Sequence, residues 1–263
     1  MSIRKLLRGR EMTVAQIKRE LGTDAHLSAV LGLMCDQGLA VRVQAGSGWD
    51  GRSYKYALFA DYYPGTNLNC YSEPEASALL IRRYLSAFGP AALEDLAWWI
   101  GVGKTKVKEA LSSIRDMTSM RIKELDGEFL ILKSDMDSLA ATKPFAAPEI
   151  NFLPNLDPYL MGYKRRERYL DPEFYDFIFD RGGNVTSTIL LNGRVIGVWD
   201  FDGALKTHYF RRSDADTLSR LHEKADALGR FIAGHKVELR QAASMVPLRQ
   251  RTAGAFMSPL KEG

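Results

Sequence analysis

The sequence has few residues that could hold a metal. Its 263 residues include only Cys35 and Cys70 as thiols, and its four histidines are scattered without the spacing of metal ligands. Two cysteines with no sign of a disulfide between them are typical of a protein in a reducing compartment. Two cysteines are also too few for a zinc cluster. We therefore expect neither a metal nor a cofactor.

Long apolar runs are also absent. No segment approaches the roughly 20 apolar residues that a membrane span needs. The first residues, MSIRKLLRGREM, are basic but lack the apolar stretch of a secretory signal. The sequence therefore predicts a cytoplasmic protein without a membrane partner, associated with the nucleoid if it binds DNA.

Common enzyme signatures are missing as well. The sequence contains no G-x-x-x-x-G-K-[ST], no G-x-S-x-G and no H-E-x-x-H. What it does contain is an uneven distribution of charge. Residues 1–60 carry nine Lys and Arg against five Asp and Glu, whereas residues 73–135 carry nine against ten. The excess in the first segment fits either a basic binding face or an ordinary solvated surface.

Residues 1–60 predict three helices followed by a hairpin. Thr13 is a candidate N-cap for the second helix, and Gly22 ends it. A third helix is expected from Asp24 to Gly38. Two alternating runs, LAVRVQ and YKYALF, then flank a glycine-rich loop. This order is typical of a winged helix-turn-helix.

Residues 73–135 repeat that order after a polar linker. Helices are predicted over 75–89, 92–100 and 104–117, and a hairpin is predicted from RIKEL and EFLILK around Asp126-Gly127. An offset of 79 aligns Ile17 with Leu96 and Gly22 with Gly101, and an offset of 74 aligns Tyr56 with Leu130. The sequence therefore contains an internal repeat, which predicts a second winged helix.

Residues 144–240 predict a third domain with a different pattern. Asn192-Gly193 between two apolar runs predicts a type I′ hairpin. Further strands are expected in INFLP, YLMGY and LKTHYF, and helices in PEFYDFIFD and over 212–234. The predicted fold class is α+β, with tandem winged helix-turn-helix domains followed by a small β-rich, barrel-like C-terminal domain. Residues 241–263 are expected to form a tail.

Several cationic residues lie where winged helices contact DNA. The third helix of the second unit begins with cations and a hydroxyl, which suit phosphate contacts, although a solvated helix face is the alternative. The wings supply further candidates, with the alternatives that the loop tryptophan folds back on its own hairpin and that the second-wing cations are surface charge. The candidates are Lys104, Thr105, Lys106 and Lys108 on the helix, Arg42, Trp49, Arg52 and Lys55 in the first wing, and Arg121 and Lys123 in the second.

The segment after YLMGY is unusually basic. Lys164, Arg165, Arg166 and Arg168 lie within five positions and predict a phosphate-binding loop, with a salt-bridged surface as the alternative. Asp157 lies between apolar residues and Pro158, so it is a weak candidate for a catalytic carboxylate, with a turn-forming role as the alternative. Trp98 and Trp99 are interpreted as core and as a packing contact between domains.

Three runs together resemble the winged-helix DNA glycosylases of the AlkZ-like (YcaQ-like) family. They are RRYLSAFGPAALEDLAWWIGV, FLPNLDPYLMGYKRRERYL and LLNGRVIGVW, in the family's order. The resemblance implies tandem winged helices, a C-terminal β-domain and a curved shape that holds double-stranded DNA. It also implies hydrolysis of the N-glycosidic bond at alkylated or crosslinked bases. Asp157, Tyr159, Tyr163 and Arg166 match the family pattern, and Arg165 replaces a common acidic residue.

The family's catalytic Gln-x-Gln or Gln-x-Asp motif has no counterpart here. None of the five glutamines, Gln16, Gln37, Gln44, Gln241 and Gln250, has Gln or Asp two positions on. We therefore expect a chain without the N-terminal catalytic module, which was either lost or is supplied by a protein partner. The sequence predicts a DNA-binding protein related to these glycosylases. The alternatives are an active glycosylase with a replaced catalytic residue and a winged-helix scaffold for protein contacts.

Overall fold

The computed structural model describes residues 2–44, 54–242 and 245–248. The chain divides into two compact units, Met1–Ser72 and Glu73–Gly263. In the described ranges, no helix has both the length and the apolar character that crossing a membrane requires.

The first unit packs short helices against a two-stranded hairpin. Thr13 caps the second helix through a capping box with Gln16, and Gly22 ends it in the left-handed region at φ 62°. Leu7, Ile17 and Leu31 are buried in the core between the helices and the hairpin. The elements are α1 (Ile3–Leu6), α2 (Val14–Leu21), α3 (Leu27–Asp36), β1 (Ala40–Gln44), β2 (Tyr54–Leu58) and α4 (Phe59–Tyr62).

The second unit begins with the same order of elements. Three helices surround a core that includes Ile81, Tyr84 and Leu96, and a hairpin covers it. A short 3₁₀ turn and one further helix follow. These elements are α5 (Glu73–Phe88), α6 (Leu93–Ile100), α7 (Lys104–Leu111), β3 (Met117–Met120), β4 (Phe129–Leu132) and α8 (Met136–Ala141).

The internal repeat is also present in the backbone. In the first unit, Met12 before α2 pairs with Tyr56 of the hairpin, and in the second unit Ala91 before α6 pairs with Leu130. Both pairs make reciprocal N–H to carbonyl hydrogen bonds. The partners differ by the same offsets, 79 and 74, that align the two sequences. Equivalent positions in the two units therefore join the segment before the second helix to the last strand of the hairpin.

The second hairpin differs from the prediction in its first strand. The strand is Met117–Met120 rather than RIKEL, and it pairs Met117 with Leu132 and Met120 with Phe129. The partly buried methionines can pack beside Phe129 and Leu132, whereas Arg121 and Lys123 are exposed. Residues 121–128 form the connection, so Asp126-Gly127 is not a two-residue turn.

The remainder of the second unit is built on one five-stranded sheet. Its order is β5-β6-β7-β8-β9, antiparallel except for the parallel pair of β8 with β9. Within the described residues β5 and β9 are the two edges, so the sheet is open there and does not form the barrel-like closure expected from the sequence. The helix α11 connects β8 to β9 and covers one face. The elements are β5 (Ile150–Leu153), α9 (Pro158–Met161), α10 (Tyr175–Ile178), β6 (Thr188–Leu191), β7 (Arg194–Phe201), β8 (Leu205–Tyr209), α11 (Ala215–Ala233) and β9 (Leu239–Gln241).

In this region the sequence predicted one turn correctly and two elements incorrectly. Asn192 and Gly193 both have positive φ, at 50° and 80°, which confirms the predicted type I′ turn. The expected strand YLMGY is wrong, because Pro158 at the first helical position starts the short helix α9 there. The helix expected in PEFYDFIFD is shorter than predicted and consists of a 3₁₀ turn and α10. It ends at Ile178, because Phe179 is extended and pairs with Val185.

Candidate nucleic-acid interface

The helix α7 presents the lysines that the sequence singled out. Lys104, Lys106 and Lys108 are all exposed, and Thr105 is exposed in the first turn. Val107 and Ala110 form the buried face of the helix, which fixes the lysines on the outside. Lys104 and Lys108 are four positions apart and share one side of the helix, whereas Lys106 lies on another side, beside Glu73.

Two of these lysines already have glutamate partners. The Lys104 ammonium lies 2.5 Å from Glu94, and the Lys106 ammonium lies 2.6 Å from Glu73. The hydrogen bond from each lysine lowers the pKa of its glutamate, so both carboxylates are charged at neutral pH. Lys108 forms no ion pair within the described residues. The helix therefore has one free cation and two that an anion can compete for.

The wing candidates are only partly described. Arg42 is exposed on β1, and Lys55 lies 3.7 Å from Glu11. Trp49 and Arg52 lie outside the described residues. In the second unit, Arg121 and Lys123 lie in the connection between β3 and β4, so the expected alternation on a wing strand is wrong.

The basic segment 164–168 does not form an open phosphate-binding loop. Arg165 pairs with Glu167 at 2.6 Å and donates to the carbonyl of Asp126 at 2.5 Å. Arg166 is buried, and the side chain of Arg168 is only 13% exposed. The three guanidinium groups thus connect parts of the protein, and only Lys164 is exposed. Whether these side chains point inward or outward depends on partners elsewhere in the fold, which a run of charges in the sequence does not reveal.

The carboxylate of Asp95 organises this segment, and sequence reasoning missed it. Asp95 is fully buried in the first turn of α6. It accepts hydrogen bonds from the backbone N–H of Ala92 at 2.9 Å and of Arg165 at 2.8 Å. The Arg168 Nη2 lies 3.8 Å from its Oδ2, an ion-pair distance that is too long for a hydrogen bond. Asp95 therefore joins α6 to the basic segment.

Beside this segment lies an open cavity of about 590 Å³. Trp98 from α6 and Tyr175 from α10 contribute aromatic rings that are 37% and 40% exposed. Lys164, Arg166 and Arg181 contribute cations to the same lining. The cavity combines aromatic surface with positive charge, which no local sequence motif indicated.

Trp98 and Trp99 were interpreted from the sequence as core and as a packing contact between domains, and the structure places them differently. Both are partly exposed rather than core. Trp99 packs against Tyr84 and Phe88, with ring centres 5.1 and 6.5 Å away. Trp98 faces the cavity, and its indole N–H donates to the carbonyl of Met161 at 3.4 Å. The only sequence signal was the WW pair itself.

Asp157 occupies the N-cap of α9. Its carboxylate accepts a hydrogen bond from the backbone N–H of Tyr159 at 2.9 Å, and its side chain is partly exposed. This geometry matches the turn-forming interpretation. Among the described residues, no group of three or more His, Cys, Asp or Glu side chains is placed to hold a metal ion.

A cluster of buried tyrosines supports the segment from the inside. The hydroxyl of Tyr84 donates to the carbonyl of Gly162 at 2.7 Å, and that of Tyr169 donates to the carbonyl of Leu160 at 2.7 Å. The Arg168 guanidinium lies 3.9 Å from the ring centre of Tyr163. Burial raises the pKa of Tyr84, Tyr163 and Tyr169 above the usual value.

Alkaline pH is expected to destabilise the second unit through these tyrosines. In the unfolded chain a tyrosine loses its proton near pH 10, whereas buried Tyr84 and Tyr169 keep theirs. The unfolded state then binds fewer protons, so the free energy of unfolding falls with rising pH. The loss is about 1.4 kcal/mol per pH unit for each such tyrosine above about pH 10, and below it their contribution is constant.

Urea unfolding between about pH 8 and about pH 11 measures this dependence. Y84F and Y169F each remove one titrating group and should flatten the slope. Tyrosinate absorbance of the native protein is the independent check. If all 11 tyrosines ionise near pH 10 without unfolding, the explanation is wrong.

Comparisons with known proteins agree with the resemblance seen in the sequence. A family model described as DNA glycosylase AlkZ-like matches residues 1–231. The interstrand DNA cross-link repair glycosylase of Streptomyces sahachiroi is 29% identical over 155 residues, which cover 57% of this chain and 41% of that protein. The solved structure of Streptomyces sahachiroi DNA glycosylase AlkZ matches with a TM-score of 0.70 and 22% identity, over 91% of this chain and 67% of that chain. The chain belongs to the AlkZ-like DNA glycosylase family.

Proposed function

We propose that this chain binds duplex DNA, and that α7 of the second unit provides a main contact. The observation that carries the proposal is that Lys104, Lys106 and Lys108 are all exposed on this one helix. Exposed ion pairs contribute little to stability, so DNA phosphates can replace Glu73 and Glu94 as partners at small cost. The family of the chain supports DNA as the substrate.

The order of elements supports the view that residues 1–60 and 73–135 are tandem winged helices, followed by a C-terminal domain over 144–240. In a winged helix the third helix enters the major groove. In the second unit that helix is α7. The equivalent α3 of the first unit has no Lys or Arg and exposes Val30 and Leu33. The first unit would then contact DNA through Arg42 and Lys55 of its hairpin.

Base excision is a separate proposal. The curated relative is an interstrand DNA cross-link repair glycosylase, and the aligned part of this chain spans 41% of its length. Hydrolysis of an N-glycosidic bond needs a group that positions or activates water. Asp157 already accepts a backbone hydrogen bond as a helix cap, which argues against that role. We therefore place DNA binding before catalysis.

Fluorescence anisotropy of a labelled, undamaged duplex at two salt concentrations tests the proposal. The triple variant K104E/K106E/K108E should bind at least about tenfold more weakly at low salt on every sequence. Its plot of log affinity against log salt should become shallower by up to about 3. The matched control is K143E/K224E/K236E, which changes exposed lysines elsewhere and carries the same net charge. Equal loss in both variants would remove α7 from the interface.

The glutamate partners provide a test in the opposite direction. E73Q and E94Q free Lys106 and Lys104 from their ion pairs, so each should strengthen duplex binding by about twofold to fivefold at low salt. An unchanged affinity in both variants would mean that these lysines do not reach phosphate.

A role in protein contacts is the second candidate. It is favoured by the apolar exposed face of α3, where Val30 is 46% and Leu33 is 56% exposed. Such a face could receive a protein partner that supplies a further module of the family. The absence of duplex binding even at low salt would favour this candidate over DNA binding.

A further inference from the structure

The cavity beside the basic segment has the composition of a nucleotide site. Its volume, about 590 Å³, lies in the range of small-molecule pockets. It is lined by Trp98, Lys164, Arg166, Tyr175, Arg181 and Gly183, among others. All of these residues belong to the second unit, so the cavity does not depend on the first.

The base of the cavity holds a buried positive charge that has no anionic partner among the described residues. Arg166 is only 9% exposed, and its guanidinium carbon lies 3.5 Å from the ring centre of Phe179. Nη1 donates to the hydroxyl of Tyr175 at 2.5 Å, and Nη2 to the carbonyl of Gly183 at 3.4 Å. Nε has no hydrogen-bond partner, and no carboxylate in the described ranges lies within ion-pair distance. Buried charges are normally paired, so this site favours an anion.

Two further cations lie at the mouth of the cavity. Lys164 and Arg181 are exposed, and neither forms an ion pair in the part of the chain that the structure describes. The acidic residue in the lining, Glu167, is held by Arg165 at 2.6 Å. An anion entering the cavity would therefore meet three positive charges and one neutralised carboxylate.

The aromatic rings supply the other half of a nucleotide site. Trp98 and Tyr175 are the large aromatic side chains of the lining, and both are partly exposed. The Lys164 ammonium lies 4.9 Å from the ring centre of Trp98. Such contacts are weak at exposed sites, so Lys164 can move to a phosphate and leave the indole face to a base. Stacking on an aromatic side chain is the usual way to hold a base outside a duplex.

We propose that this cavity binds one unstacked nucleotide, with the phosphate at Lys164, Arg166 and Arg181 and the base against Trp98. The proposal deepens the proposed DNA binding and rests on it for the source of the nucleotide. It adds a contact for an unpaired position of the strand to those of the lysines of α7. The pocket can be tested with a mononucleotide, without a duplex.

The test is calorimetric titration of the full chain at low salt with 2′-deoxyadenosine 5′-monophosphate, with deoxyadenosine and inorganic phosphate as comparison ligands. The monophosphate should bind saturably and at least about tenfold more tightly than either comparison ligand, because only it engages both the cations and the aromatic ring. Equal affinity for inorganic phosphate would overturn the nucleotide assignment.

Matched variants locate the binding. R181Q should weaken binding of the monophosphate at least about fivefold, whereas R212Q, an exposed arginine outside the cavity, should not. W98L should weaken it by at least about fivefold, whereas W99L, whose ring packs on Tyr84, should not. Equal effects within each pair would overturn the proposed position.

The duplex anisotropy assay separates this inference from the proposed function. No saturable mononucleotide binding by a protein that still binds duplex overturns the pocket alone. Mononucleotide binding that depends on Arg181 in a protein without duplex affinity supports the pocket and overturns the α7 interface.

Discussion

Replacing Asp95 by alanine is expected to lower the free energy of unfolding of the second unit by about 3–5 kcal/mol. The substitution leaves the guanidinium of Arg168 buried without its carboxylate, and the side chain of that arginine is 13% exposed. It also leaves the backbone N–H groups of Ala92 and Arg165 without their acceptor. Each loss is costly because the site is closed to water, which could otherwise replace the missing oxygen.

The first unit offers a matched control at the equivalent position. Gln16 also accepts a backbone N–H, that of Thr13 at 2.8 Å, but it is exposed. Q16A should therefore cost about 1 kcal/mol or less. Urea unfolding gives both values: the fluorescence of Trp98, Trp99 and Trp199 reports on the second unit, and far-UV circular dichroism also follows the helices of the first. A loss below about 1 kcal/mol for D95A would show that the segment does not depend on this carboxylate.

Gly197→Ala is expected to destabilise the five-stranded sheet by about 3 kcal/mol or more. A Cβ at this position would lie 2.3 Å from the carbonyl oxygen of His208 on the neighbouring strand. Backbone of a paired strand cannot move aside without breaking the ladder of hydrogen bonds. The register of β6 against β7 shifts beside Gly197, between Ile189 and Leu190, so the glycine belongs to a β-bulge.

Gly103→Ala is the control for this substitution. Gly103 caps α7 with ordinary φ, and a Cβ there would meet nothing within 4 Å. Its cost should stay within about 1 kcal/mol. Thermal unfolding compares the two variants, and the fall in Tm should be several times larger for the sheet glycine. Equal shifts would mean that the close approach of β8 does not determine the choice of glycine.

Features set by neighbouring residues could be predicted from the sequence. The Asn192-Gly193 turn, the capping of α2 by Thr13 and the left-handed glycine at Gly22 depend on local backbone preference. The internal repeat was also visible, because apolar spacing persists where individual residues have changed. These signals were enough to place α7 and its lysines on the surface.

Features set by distant partners could not be predicted. The run at 164–168 predicts a basic loop, but the inward direction of Arg166 and Arg168 depends on Phe179 and Asp95, which lie outside that run. The cavity was missed for the same reason, since its aromatic and cationic residues come from separate elements. The short runs RIKEL and YLMGY were wrongly assigned as strands, because five residues carry too little periodicity to distinguish a strand from other structure.

The pairing of Met12 with Tyr56 has a consequence for synthesis on the ribosome. This bridge joins the start of the first unit to its last strand, and the unit ends at Ser72. Once Ser72 has been translated, all residues of the first unit exist, including both partners of this bridge, whereas the second unit has not yet been made. The first unit can fold during translation and be complete before α7, the basic segment and the sheet emerge.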